Sequence, residues 1–249
     1  MKIVVLVTVW RRLPLARAVI ENIMRLGLTP FVVLSSEDVA EMTPWLTGLG
    51  VDWCVAPNHP VSCKHQLGLS VLRRTELGGT ADAVMLLGSD DFVNAAYVSE
   101  VASRLESSRF IGVEDVWMFG VGTGCLGYWG GPMALKGVPI PVGAGRVWRR
   151  DFLDECDWIL WPEAKDSGLD SMCSRLLIGR GEPCDLFRLG IDGDAAIVDV
   201  KSGFNIHGWR KFHFDSVLGG PQAASKLKTM GLGVVLEVAK HDSETGDVA

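Results

Sequence analysis

The chain has 249 residues, 48% of them hydrophobic and 22% charged, enough apolar material for a substantial core, which excludes the disordered and collagen-like classes. Lys and Arg number 24 against 30 Asp and Glu, and the net charge of −6 excludes an overall basic field for a nucleic-acid backbone while leaving room for a local basic groove. The longest apolar runs, such as 4–7 and 83–87, fall far short of the roughly 18 to 20 residues of a membrane helix, so the chain reads as soluble and cytoplasmic with no membrane span.

In chain order, short apolar runs alternate with amphipathic segments over about the first 105 residues, the pattern of β-α-β units on a mainly parallel sheet. Residues 3–9 follow Lys2 and run into Arg11 and Arg12 without a small-residue cleavage site, so they read as a buried first strand rather than a signal peptide. Further strands are expected near 31–34, 51–55 and 83–87. Between the first two, Pro14 suits a first helical turn, Ala16, Val19, Ile20 and Ile23 make one apolar stripe, and Gly27 supplies a stop. A second helix is predicted from Ser62 as N-cap to Gly78 and Gly79, with Cys63, Leu67 and Val71 at four-residue steps. A third follows the fourth strand, where Val98, Val101, Ala102 and Leu105 have helical spacing.

The texture then changes. Residues 120–145 hold nine glycines where the chain average of 29 in 249 would place about three, which favours turns, short strands and a mobile loop. Leu169, Met172, Cys173, Leu176 and Leu177 mark a helix that ends at Gly179, residues 196–200 read as a strand, and the polar tail from His241 is expected to fray. The six cysteines show no C-x-x-C or zinc spacing and are expected as reduced thiols.

The most informative stretch is Val84 to Phe92, an apolar strand that ends Gly88-Ser89-Asp90-Asp91. Carboxyl ends of strands in open parallel sheets face the ligand crevice, and hard oxygen ligands there suit Mg²⁺ or Mn²⁺ beside a diphosphate. The same pair also reads as an acidic turn that caps the next helix. Asp170 by itself reads as a helix N-cap, and His207 and His213 as surface histidines. Trp148, Trp158 and Trp161 are stacking candidates or packing residues. Arg149 and Arg150 suit bidentate contacts to a diphosphate or a solvated surface.

Together these pieces resemble the GT-A glycosyltransferases, especially the family 2 type that transfers a sugar from a nucleoside diphosphate donor. Gly88-Ser89-Asp90-Asp91 looks like that family's L-D-S-D-D signature with the first Asp replaced by Gly. Lys64-His65-Gln66-Leu67-Gly68-Leu69 is similar to its basic-residue, Asn, x, Gly pattern, with Gln66 in place of Asn. The segment 143–150 resembles the part where the acceptor pocket closes, and Gly168-Leu169-Asp170 the element that carries the catalytic base of inverting members. A narrower resemblance, to phage-borne members that glycosylate hydroxymethylated DNA bases, rests on the K-H-x-x-G-L and G-S-D-D strings.

The resemblance implies a GT-A-like, Rossmann-related α/β domain over 1–249, its mainly parallel sheet flanked by helices, with a nucleotide-sugar-binding half to about 115 and an acceptor half over about 116–240. It implies transfer from a nucleoside diphosphate sugar to a hydroxyl of a glycan, a small molecule or a modified DNA base. Asp170 is then the base. Thr8, Trp10, Arg11, Lys64, Gln66, Ser89 and Asp90 bind the donor, Arg146, Trp148 and Arg149 face the acceptor, and Asp90, Asp91 and His207 hold Mn²⁺ or Mg²⁺. Two rivals remain. A sugar-phosphate nucleotidyltransferase would carry a Gly-rich phosphate loop after the first strand, and residues 8–15 contain no glycine. A non-catalytic nucleotide-binding subunit would account for the lost Asp.

Overall fold

The computed structural model describes residues 1–132, 139–203, 205 and 208–245. The first apolar run forms β1 (Ile3–Val9), buried almost throughout as a central parallel strand requires. α1 (Leu13–Arg25) has Pro14 in its first turn and buries Leu15, Val19, Ile20 and Ile23. β2 (Thr29–Leu34), α2 (Val39–Leu49) and β3 (Asp52–Val55) follow. α2 is an addition to the sequence reading, and it carries Pro44 inside, a residue that ordinarily breaks a helical pattern.

The helix expected from Ser62 to Gly79 is two helices, α3 (Val61–Leu72) and α4 (Glu76–Thr80). Thr75 caps α4 by accepting from the Gly78 N–H. Ser62 is no cap. It lies inside α3, where its buried hydroxyl donates to the Glu163 carbonyl (2.8 Å) and accepts from the Lys165 N–H (2.7 Å). β4 (Ala83–Gly88), β5 (Asp91–Val93), α5 (Ala95–Arg104) and β6 (Phe110–Val113) complete the first half.

In the Gly-rich part, β7 (Val116–Gly120) and β8 (Cys125–Trp129) make an antiparallel hairpin. Then come β9 (Val147–Arg149), α6 (Arg150–Glu155), α7 (Leu169–Arg180), β10 (Asp185–Phe187), β11 (Ile197–Lys201), β12 (Ser216–Leu218), α8 (Gly220–Thr229) and α9 (Val234–Thr245). The tail expected to fray from His241 is helical as far as Thr245.

Seven strands form the main sheet in the order β10-β6-β9-β4-β1-β2-β3, and a second sheet runs β12-β8-β7-β11-β5. β3, β2, β1 and β4 are parallel, whereas β9 lies antiparallel between β4 and β6. Along β1, Ile3, Val5, Val7 and Val9 point into one core and Val4 and Leu6 into the other, so helices cover both faces. The chain moves outward from β1 to β3 and returns to β4 on the other side of β1. That reversal, with Thr8 beside Gly88, is the switch point where sheets of this kind bind ligands.

Among the described residues, no helix is long and apolar enough to cross a membrane. All six cysteines are free.

Candidate active site

Two adjoining lobes open at the switch point, of about 300 and 250 Å³, and share Thr8, Val61, Gly88, Asp90 and Lys201 in their walls. Backbone geometry places the first cation. Arg11 and Arg12 end the β1–α1 turn at φ 56° and 45°, left-handed values that cost non-glycine residues on the order of 1–3 kcal/mol each and tend to be kept at functional sites. The Arg11 N–H is tied to the buried Asp38 carboxylate (3.0 Å), and the Arg12 guanidinium donates to Asp90 (3.0 Å).

Asp90 lies in the turn between β4 and β5, where the chain steps from one sheet to the other, and it also accepts from the Asn205 amide (2.6 Å). Burial raises its carboxyl, but Arg12 and Lys201 outweigh that and leave it below the usual carboxylate range. On β11 the period of two puts Asp199 and Lys201 on one face, where they pair at 2.5 Å, while Val198 and Val200 are fully buried. Burial opposes the Lys201 charge, yet Asp199 and Asp90 hold its pKa above the ordinary lysine value.

Asp91 stands directly across from Asp199 in the β5–β11 pairing and accepts from the Gly88 N–H (2.6 Å). Gly88 is where the resembled signature has its first Asp. A Cβ there would lie 2.5 Å from Asp90 Oδ1 and 2.9 Å from Asp91 Oδ2, so a side chain at this position would require the two carboxylates that fold back over it to move.

Burial pushes the Asp91 carboxyl well above the usual range, and Asp199 and Asp90 add to the shift. The folded chain therefore keeps a proton that the unfolded chain releases near pH of about 4. The stabilising contribution is full below that pH and is lost as the pH rises toward the raised value. Asp91→Asn cannot titrate, so the variant is expected to show a shallower decline in melting temperature from acid to neutral pH than the wild type. Calorimetry over that range checks this; an equally steep decline in the variant would contradict a raised Asp91.

The expected donor residues separate into two groups. Thr8, Trp10, Lys64, Ser89 and Asp90 line the second lobe. Lys64 is buried, donates to the Val9 carbonyl (2.5 Å) and to Ser35 (2.6 Å), and is pushed down to about 8 by burial. Arg11 instead packs its guanidinium over Trp10, 4.8 Å from the ring centroid. Gln66 is a correction: its amide donates to the Trp158 carbonyl (2.7 Å) and accepts from the N–H groups of Leu160 and Trp161, so it pins the 158–161 loop rather than the donor.

On the acceptor side, Asp170 and Arg146 line the first lobe as an ion pair of 3.3 Å, and the Arg146 Nε donates to the Gly143 carbonyl (3.0 Å). Trp148 and Arg149 are corrections. Trp148 is fully buried on β9, against Phe110 and Phe152. Arg149 pairs with Ala83 at the start of β4 and forks onto Asp151 (2.8 and 2.7 Å). That is the far end of β4 from Gly88, roughly 17 Å away at about 3.3 Å per residue. Trp158 and Trp161 are buried as well. Trp129 and Phe212, in edge contact at 5.1 Å, line the first lobe together with His65, and neither of the two was singled out from sequence. Arg12, Asp199, Lys201 and Asn205 were missed in the same way.

A divalent ion needs several oxygen or nitrogen ligands converging on one point. Among the described residues, no three Asp, Glu, His or Cys are so arranged. Asp90 is engaged by Arg12 and Asn205, Asp199 by Lys201 and Asp91 by Gly88, so two side-chain cations already stand among the three carboxylates. The described residues form no protein-only cage for Mn²⁺ or Mg²⁺, so an ion there would depend on the diphosphate and water to complete its shell. His207, the expected third ligand, lies outside the described residues, and His213 is exposed and outside both lobes.

No family model and no curated relative matches the sequence. Solved structures do match. Staphylococcus aureus TarS is 15% identical with a TM-score of 0.56, over 81% of this chain and 37% of TarS, so the chain spans well under half of that protein. The inositol-1-phosphate CTP transferase of T. maritima is 11% identical with a TM-score of 0.54, over 93% of this chain and 96% of the enzyme. The 4-diphosphocytidyl-2C-methyl-D-erythritol synthase of Anaerococcus prevotii is 9% identical with a TM-score of 0.51, over 75% and 88%. At such identities the likeness is one of fold. The chain has a GT-A-like α/β fold with a mainly parallel sheet flanked by helices, as the motifs implied.

Proposed function

We propose that the protein is a glycosyltransferase that moves a sugar from a nucleoside diphosphate sugar to an acceptor hydroxyl. The observation that carries this reading is the cleft itself: the Asp170 carboxylate and the Asp90 turn open into the same space at the switch point of the sheet. The nucleotide would lie along the second lobe, against Thr8, Trp10 and Lys64, with its diphosphate toward Asp90 and Lys201. The acceptor would enter the first lobe between Asp170 and the rings of Trp129 and Phe212.

In an inverting reaction Asp170 takes the proton from the acceptor hydroxyl as its oxygen forms a bond to the anomeric carbon. The bond from that carbon to the diphosphate oxygen breaks, and its electron pair leaves with the nucleoside diphosphate. Arg146 orients the Asp170 carboxylate from 3.3 Å. A glycan or small-molecule acceptor is favoured over a modified DNA base, because Arg149 and Arg150, which would have contacted DNA phosphates, lie by the opposite end of the sheet.

Nucleotidyl transfer is the second reading, favoured by the near-complete overlap in fold with the T. maritima CTP transferase. Product analysis separates the two. Incubation with UDP-, GDP-, CDP- and dTDP-sugars is expected to release the nucleoside diphosphate. Pyrophosphate release from nucleoside triphosphates with sugar phosphates would replace this reading with the second. No release in either assay would leave a nucleotide-binding subunit.

A further inference from the structure

We propose that Arg12 and Lys201 do the work of a divalent cation, binding the donor's diphosphate directly and neutralising it as it leaves; this rests on the nucleotide-sugar reading above. Both side chains are 8% exposed, yet both form part of the wall of the second lobe. They are held in place before any ligand arrives. Arg12 is fixed by Asp90 at 3.0 Å, Asp90 is fixed in turn by Asn205 at 2.6 Å, and Lys201 is fixed by Asp199 at 2.5 Å. Donors ordered in advance bind a developing charge without reorganisation at the moment of reaction. The Arg12 Nη2 is held by Asp90, and its Nη1 reaches the Val200 carbonyl, Ser202 and Asn205 only at 3.5, 3.5 and 3.3 Å, contacts that a phosphate oxygen would replace with a shorter charge-assisted bond, while the Lys201 ammonium adds a compact point charge.

Charge balance points the same way. Arg12, Lys64 and Lys201 line the second lobe against Asp90, and Asp199 behind the wall pairs with Lys201. The surplus of one positive charge is of the sign that attracts a diphosphate. Lys64 contributes through its field, because its ammonium already donates to Val9, Ser35 and Asn58. A divalent ion would have to enter beside Arg12 and Lys201 and compete with both for Asp90 and Asp199. The glycine at position 88 fits this arrangement. It takes away one carboxylate of the resembled signature, and restoring it would push the Asp90 and Asp91 carboxylates from their present positions.

The test is calorimetric titration of the full chain with UDP, GDP, CDP and dTDP, in EDTA and in Mn²⁺. The expected result is that the nucleoside diphosphate that binds does so with affinities within about twofold in the two buffers, since a metal that bridges protein to diphosphate would change them by far more. Arg12→Ala and Lys201→Ala, each checked for native circular dichroism, are expected to weaken binding in EDTA by at least about tenfold, as loss of a buried charged donor does. Arg12→Lys should lose less. Binding at least tenfold tighter in Mn²⁺, or unchanged affinity in both folded alanine variants, would overturn the inference while leaving the nucleotide-sugar reading intact. Absence of binding by every diphosphate in both buffers would remove both. Should either variant fail to fold, the wild-type comparison of the two buffers decides alone.

Discussion

Replacing Asp170 by Asn is expected to reduce turnover by about a hundredfold or more, with the affinity for nucleoside diphosphate and the melting temperature nearly unchanged. The variant keeps the size of the side chain and much of its hydrogen bonding but cannot accept a proton. A capping role would give a different result, and the geometry argues against one: Gly168 is the N-cap of α7, no side chain caps this end, and Asp170 is the second helical residue. Its side chain is 42% exposed to the cleft, so the fold depends little on it. Single-turnover measurements of nucleoside diphosphate release, alongside binding titrations, check the expectation. Wild-type turnover in the variant would reduce Asp170 to a partner of Arg146.

A second large effect is expected from a residue outside the chemistry. Trp148→Ala should cost about 3–5 kcal/mol, because it empties the volume of a tryptophan from a close-packed interior. For a domain of this size that corresponds to a fall in melting temperature of roughly 6–20 °C. The ring sits 4.4 Å from Phe110 and 5.4 Å from Phe152, centroid to centroid. Its buried Nε1 has no partner among the described residues. Trp148→Phe is therefore expected to recover most of the stability, since it keeps a ring and removes an unsatisfied donor. Thermal denaturation of both variants decides. An unchanged melting temperature for the alanine variant, with weakened acceptor binding, would return Trp148 to the cleft.

Local chemistry made much of the framework legible. β1, α1 and β4 follow from apolar runs punctuated by Pro14 and Gly27, and the acidic end of β4 was placed at the mouth of the sheet by the rule for parallel strands. Ligands of those acids were not legible. Arg12 lies 78 residues from Asp90 and Asn205 lies 115 residues away, and only the fold brings them together. Gln66 did carry a warning. Residues two apart on a helix do not share a face, so Lys64 and Gln66 on α3 could not both turn to the donor. Trp148 carried none, because a three-residue strand between glycines and arginines resembles a loop until its neighbours β4 and β6 are known.

That short strand bears on how the protein can be recombined. β9 comes from the second half of the sequence but is hydrogen-bonded between two strands of the first, and β10 from the second half covers the edge of β6. A chimera joined near residue 115 would separate β4 from its antiparallel neighbour and leave both β4 and β6 with unpaired backbone, the edges that favour aggregation. Exchanging the part of the chain after residue 115 therefore means keeping 147–149 and 185–187 with the first half, or replacing them only by segments that restore both ladders.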